Sequence, residues 1–439
     1  MSHPQDWTLR QQSEALRHGE LNARELLDMT IARINERDST INSTPVVFNK
    51  ESYDQLNQAP AGPLHGVPIT VKDMFALPWR AARNGTTADL IPAGASGPYR
   101  NLRDAGAVVV GIANQHELGI GTTGTQSGYG RMGNPWNPER CAGGSSGGSA
   151  SAVSARLVAG SLASDSGGST RLPAAYCGVV GLKLTYGSVP YDGYFGAATT
   201  FSAPGIITRD GSDARMLAAA LLQRPLPAQS GSGLRVGLIR DPFWDDVDPE
   251  VAAAGEMALR ATGWHVSEVQ VKHLELAGAA FLSRLIAEAG MPTNELLATL
   301  SVPTRALLLA GMLAPARFIP RADRVRGAIR DSLAKSFHTV DFLCWPTSPA
   351  PAPPLDDPHV VIPSGRAQAD LPNVRQTRLA NLTGTPAISI PVGLHSSKLP
   401  MGLHFIGPWG GEARLIDAAE HLERVTDREF VNLTPPIAR

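Results

Sequence analysis

Two glycine–serine clusters, GGSSGGS at 143–149 and SGGS at 166–169, and a lysine, Lys72, closing the apolar run VPITVK are the residues here whose types could do chemistry together. A serine hydroxyl is a poor nucleophile until a neighbour takes its proton. A lysine can take that proton only when neutral, and its ordinary pKa is about 10.4. Burial away from other charges lowers that value at about 1.4 kcal/mol per unit, so a three-unit shift asks for about 4 kcal/mol of good packing. The apolar lead-in to Lys72, and glycines that let backbone approach closely, are compatible with such a site.

Other readings stand beside this one. A flexible linker would run into polar chain, whereas 143–149 continues into SASAVSARLVAG. A phosphate loop of the GxxxxGK[ST] type needs a lysine after the glycines, and none is there, which leaves only a backbone anion site at a helix N-terminus. GGSSG matches the GxSxG elbow of serine hydrolases, but an elbow needs a strand leading in, and NPWNPERCA reads as a loop.

The elements that must hold these residues follow from pattern. Thr8 with Gln11 and Asn22 with Glu25 have capping-box spacing, the second opening an amphipathic helix through Leu26, Leu27, Thr30, Ile31 and Ile34. Val67, Ile69 and Val71 alternate as a short strand ending at Lys72, with Pro68 pointing to an edge. Buried strands are expected at 107–111 and 157–165, then a strand at 233–243, a helix at 248–262 and a strand in WHVSEVQV. Helices run to about 338, followed by a strand into the proline-rich loop of 341–355, strands in PAISIPVGL and MGLHFIGP, and a closing helix at 412–425. This alternation predicts a mainly parallel sheet with helices on its faces.

Bulk properties narrow the class. The 439 residues carry 39 basic and 40 acidic side chains, a net charge of −1 with no block of like charge, so no field draws the chain to nucleic acid or an anionic membrane. The 44 glycines and 35 prolines are dispersed among apolar runs and read as turns. Cys141, Cys177 and Cys344 have no CxxC spacing, which suits a reducing compartment and offers no metal framework. MSHPQDWTLRQQSEALRHGE has no apolar signal region and no run approaches 18 apolar residues, so a cytoplasmic chain without membrane contact is expected.

The succession GVPITVKD, NPWNPERCAGGSSGGSASAVSA and SDSGGSTRLPAAYCGVVGLK, with GTPAISIPVGL…PMGLHFIGP later, resembles the amidase signature family, from about residue 10 to 425. The resemblance implies an α/β amidase signature fold, a large mixed β-sheet covered by helices on both faces. It implies one domain over 1–439, made of N-terminal helices (1–60), a catalytic signature core (61–220) and a C-terminal half completing sheet and pocket (221–439). It implies a Ser–Ser–Lys triad of Lys72, Ser145 after a cis peptide bond, and Ser169 as nucleophile. The oxyanion donors would be the backbone N–H groups of Ser166, Gly167 and Gly168, with Ser146, Asp165 and Arg171 in support, and no metal or cofactor. The implied partner set is a small-molecule amide and no nucleic acid, with a homodimer compatible.

Some residues depart from the family pattern. Ser166 stands where a threonine is usual, Gly111-Ile112 where many members have GK, and TTFSAPGIITR lacks an aspartate near 202. The last departure and the shorter chain set a second role, the ammonia-releasing component of a glutamine-dependent tRNA amidotransferase, behind a stand-alone amidase. A non-catalytic scaffold is a third. For substrate, Met74, Phe75, Trp79, Tyr129, Tyr194, Phe195 and Phe201 are candidate pocket walls. Arg321, Arg324, Arg326 and Arg330 have helical spacing that suits either a solvated face or a hold on an acidic substrate.

Overall fold

The computed structural model describes residues 3–194, 198–289, 293–426 and 433–438. One sheet of eleven strands runs through them. Its order is Val46–Val47, Val108–Ala113, Pro68–Lys72, Gly160–Asp165, Ala203–Thr208, Val180–Lys183, Ala387–Leu394, Pro400–Ile406, Phe342–Pro346, Arg235–Leu238 and His265–Glu268. The sheet is mixed, which corrects the mainly parallel expectation. Parallel pairs lie towards its two ends, around the Lys72 strand and around Arg235–Leu238, while the middle is antiparallel.

Alternation along the strands builds a core on each face. Val109, Leu162 and Ile206 join one apolar layer with Ile69 and Val71. Their neighbours Val110, Ala163 and Ile207 join another with Leu27, Ile31 and Ile34 from the helix Ala23–Arg37. Asn22 caps that helix by accepting from the Arg24 and Glu25 amides, and Thr8 with Gln11 forms the full capping box on the helix Leu9–His18.

The Lys72 strand lies inside the sheet, not at an edge. Its ladder to Gly160–Asp165 begins only at Thr70, so Pro68 faces one neighbouring strand and its missing N–H breaks no bond on the other side. NPWNPERCA also departs from expectation. Asn137–Cys141 is a strand, paired with Gly133–Asn134 in a two-stranded ribbon outside the main sheet. It leads through Ala142–Ser146 into the helix Gly147–Ser154, all eight residues of which are buried. Only small residues fit there, since a side-chain carbon on Gly148 would strike the Asn114 backbone and the Ser43 carbonyl.

Candidate active site

Lys72 is the last residue of its strand, fully buried. Its Nζ donates to Ser145 Oγ at 2.7 Å and to Ser164 Oγ at 2.9 Å. Burial lowers its pKa to about 7, against a smaller upward pull from the Asp165 charge. Among the described residues, no carboxylate bonds it. The lysine therefore meets the condition for a base near neutrality, a neutral fraction held next to a hydroxyl. The Gly144–Ser145 peptide bond is cis, and the Ser145 carbonyl accepts from the His116 amide at 2.9 Å.

Ser169 follows the strand Gly160–Asp165, just before the helix Arg171–Cys177. Its hydroxyl makes no protein hydrogen bond among the described residues. The two serine clusters meet through main chain, the Ser146 amide donating to the Ser169 carbonyl at 3.1 Å. Ser146 is not in line between the other two serines. Its hydroxyl donates to the Ser164 carbonyl at 3.1 Å. Among the described residues, no histidine ring hydrogen-bonds either cluster's hydroxyls, so a GxSxG elbow has no base here.

Asp165 and Arg171 form a fully buried ion pair, with Arg171 Nη2 2.8 Å from Asp165 Oδ1 and Nε 3.0 Å from Oδ2. Burial alone would push the Asp165 carboxyl up, but the Arg171 guanidinium, with Lys183 and Asn381, holds it well below the usual carboxylate range. This pair braces the loop. Asp165 accepts from the Gly168 amide at 2.8 Å and the Thr170 amide at 3.1 Å. Gly168 is therefore not a free donor, which corrects the expected set. The Ser166 and Gly167 amides donate to no protein acceptor among the described residues. Gly168 has φ +120°, and a side-chain carbon there would collide with Thr377. Thr377 itself donates to the Gly167 carbonyl from across the fold.

Beside these loops lies a cavity of about 520 Å³. His116, Ile120 and Gly121 line it next to Ser145, whose Oγ is 3.7 Å from where a side-chain carbon on Gly119 would stand. Phe281, Leu282, Leu285, Leu307 and Val374 make the rest largely apolar. Phe281 also abuts Gly167, so this wall touches the nucleophile loop. The aromatic residues expected as walls mostly pack elsewhere. Phe75 stacks on Tyr194, Trp79 meets Phe48 and Tyr99 edge-on, and the Tyr129 hydroxyl accepts from Arg80 at 2.6 Å. Met74 reaches Gly119, and Phe201 backs Phe281 at 5.1 Å without lining the cavity. Phe195 lies outside the described residues. Of the arginine cluster, Arg321 and Arg324 are exposed, Arg326 donates to the Thr200 carbonyl at 3.0 Å and Arg330 stacks on Trp409.

A family model described as Amidase matches residues 25–416. The chain belongs to the amidase family. It is 32% identical to the amidase-type component of the glutamyl-tRNA(Gln) amidotransferase of Halorhodospira halophila (strain DSM 244 / SL1), over 96% of this chain and 97% of that one. Among solved structures, one described as the crystal structure of an amidase superposes with a TM-score of 0.90 at 30% identity, covering 95% of this chain and 99% of that one. The corresponding glutamyl-tRNA(Gln) amidotransferase component of Thermotoga maritima gives a TM-score of 0.81 at 28% identity, covering 97% and 96%.

These amidase relatives overturn one expectation. Balanced charge suggests a partner set of a small amide alone, with no nucleic acid. The relatives' name carries both a tRNA and a multi-chain assembly, so that inference does not stand: a bulk charge of −1 says nothing about one face or one assembly. Among the described residues, no helix is long and apolar enough to cross a membrane, and no group of His, Cys, Asp or Glu is arranged to hold a metal.

Several residues of this amidase site were beyond sequence reasoning. Ser164 has the one readable signal, since it stands two residues before Ser166 on the same strand and so shares a face with it. Thr377, Asn381 and His404 gather on Arg171 from more than 200 residues away. Phe281 and His116 carried no motif at all.

Proposed function

We propose that the chain cleaves a carboxamide C–N bond through an acyl-enzyme on Ser169. The observation that carries this reading is the 2.7 Å hydrogen bond between Ser145 Oγ and a buried Lys72 whose pKa burial lowers to about 7. Neutral Lys72 accepts the proton of Ser145 as Ser145 accepts that of Ser169. Ser169 Oγ then adds to the amide carbonyl, and the oxyanion meets the free Ser166 and Gly167 amides. Donors of this kind are worth about 3–4 kcal/mol each. The proton returns by the same relay to the nitrogen, the C–N bond breaks, and amine or ammonia leaves. Water next attacks the ester, giving the carboxylic acid and restoring the serine.

Two roles use this chemistry, a free-standing amidase and the ammonia-releasing component of a larger assembly. The end-to-end similarity to amidotransferase components favours the second, reversing the order drawn from residues near 202. In that role the amide is the side chain of glutamine, and a companion chain uses the ammonia on a glutamyl-tRNA.

A serine-reactive fluorophosphonate, mapped by mass spectrometry, tests the common chemistry. Modification at Ser169 is expected, and it should fall at least about a hundredfold in Lys72→Met. Labelling at Ser145 or Ser146, or labelling that does not depend on Lys72, would refute the relay. Ammonia release from glutamine then separates the roles. It should exceed release from simple aliphatic amides and rise when companion chains are added.

A further inference from the structure

Arg378 stands out among the inward-facing arginines. Arg171, Arg215, Arg284 and Arg375 face Asp165, Asp417, Glu288 and Asp246. Arg378 is partly buried in the cavity wall and, among the described residues, has neither an ion-pair partner nor a hydrogen-bond acceptor. An unpartnered charge withdrawn from water costs free energy and contributes nothing to folding. Burial and the nearby Arg375 lower its pKa to about 10, so it remains a cation at neutral pH.

Its position relates it to the reaction centre. Asp370, Leu371, Val374 and Arg378 line the cavity from one face of the helix Asp370–Thr383. Asp370 is occupied, accepting from the Thr122 amide at 2.8 Å and its hydroxyl at 2.9 Å. The Arg378 guanidinium lies against Gly278, where a side-chain carbon would come within 3.0 Å of Nη2. Gly278 is three residues from Phe281 on the helix Ala277–Glu288, about one turn, and Phe281 touches Gly167 of the nucleophile loop. The guanidinium also borders a second cavity, where Arg240 and Arg375 already hold carboxylates.

We propose that Arg378 determines specificity by pairing with a carboxylate on the substrate, so that the amide cleaved is one carrying an anionic group a few bonds from the scissile carbonyl. The cavity supplies apolar walls for the intervening methylenes and, among the described residues, a free cation for the end group. A guanidinium binds a carboxylate through two parallel N–H bonds, which fixes orientation as well as charge. This rests on the amide-cleaving reading above and narrows it to acidic amides, a class to which glutamine and the monoamides of dicarboxylic acids belong.

Glutaramate and its neutral counterpart butyramide are the probes. Wild type should cleave glutaramate with the higher kcat/KM. Arg378→Gln should lower that value about ten- to hundredfold, the loss expected for one charge-assisted contact, and leave butyramide unchanged. Its Tm should not fall, because no partner is stranded, and Arg378→Lys should recover part of the preference. Calorimetric binding of both compounds to Ser169→Ala, with and without Arg378→Gln, reads the subsite independently of turnover. Equal binding of the two compounds would overturn the proposal, as would parallel loss on both with a lowered Tm. Arg378-dependent binding of glutaramate without any cleavage would uphold the anion subsite and sink the amide-cleaving reading instead.

Discussion

Lys72 links the site's chemistry to pH. As a base it must be neutral, so kcat/KM should rise with pH and level off above about 7. Lys72→Met should lower the plateau by about 10²–10⁴-fold, the usual contribution of a positioned base. The same shift predicts a stability effect. The folded value, about 7, lies below the ordinary 10.5, so between those pH values the unfolded chain binds the extra proton. Stability therefore rises with pH across that window, and the gain is lost as pH falls towards 7. Lys183 adds to the slope. It is buried, hydrogen-bonded to the Leu184 and Thr385 carbonyls, and burial lowers it to about 7 as well. Urea unfolding at pH 7, 8 and 9 should give a shallower rise in Lys72→Met than in wild type, with the remainder due to Lys183. An unchanged slope would mean that Lys72 is not held in the form the relay needs.

At the scale of elements, the nucleophile loop is held by the Asp165–Arg171 pair rather than by its own sequence. Asp165 bonds two loop amides, and Arg171 ties the pair to the helix Asp370–Thr383 through the Thr377 carbonyl at 2.8 Å and Asn381 Oδ1 at 2.7 Å. Arg171→Met would leave a buried carboxylate without its cation, a change that costs about 3–5 kcal/mol. Chemical denaturation should show that loss, and Ser169 labelling should drop with it because the loop amides lose their brace. Arg171→Lys keeps the charge but not the planar fork and should fall between. A fully stable Arg171→Met protein would show that the brace is not what holds the loop. Legibility in the sequence divides along this same line. Lys72 at a strand end, the capping box at Thr8 and the serine clusters were readable because each is a local pattern. What clamps them was not readable, because Thr377, Asn381, His404 and Phe281 act across gaps that no spacing rule spans. Pro68 misled for a similar reason. Its type speaks for a sheet edge, and only the register of the neighbouring strand shows why an interior position costs nothing.

Across the whole molecule, the sheet order makes the two halves of the chain interdependent. The strand Val180–Lys183 pairs on one side with Ala203–Thr208 and on the other with Ala387–Leu394, joining Lys183 to Ala387 and Leu182 to Ile388. Cutting near residue 224 would expose a long apolar edge on each fragment, a template for aggregation rather than for folding. The catalytic loop would suffer too, since its brace takes Thr377, Asn381 and His404 from the far half. A chain of 439 residues would ordinarily divide into separate cores. Here we expect one cooperative unit over the full sheet. Calorimetry should show a single unfolding transition whose van't Hoff and calorimetric enthalpies agree. Fragments 1–224 and 225–439, expressed alone, should lack protected amides in their sheet strands and regain them only on mixing. Two resolved transitions, or a first fragment that folds and labels at Ser169 on its own, would show that the active site belongs to an independent half.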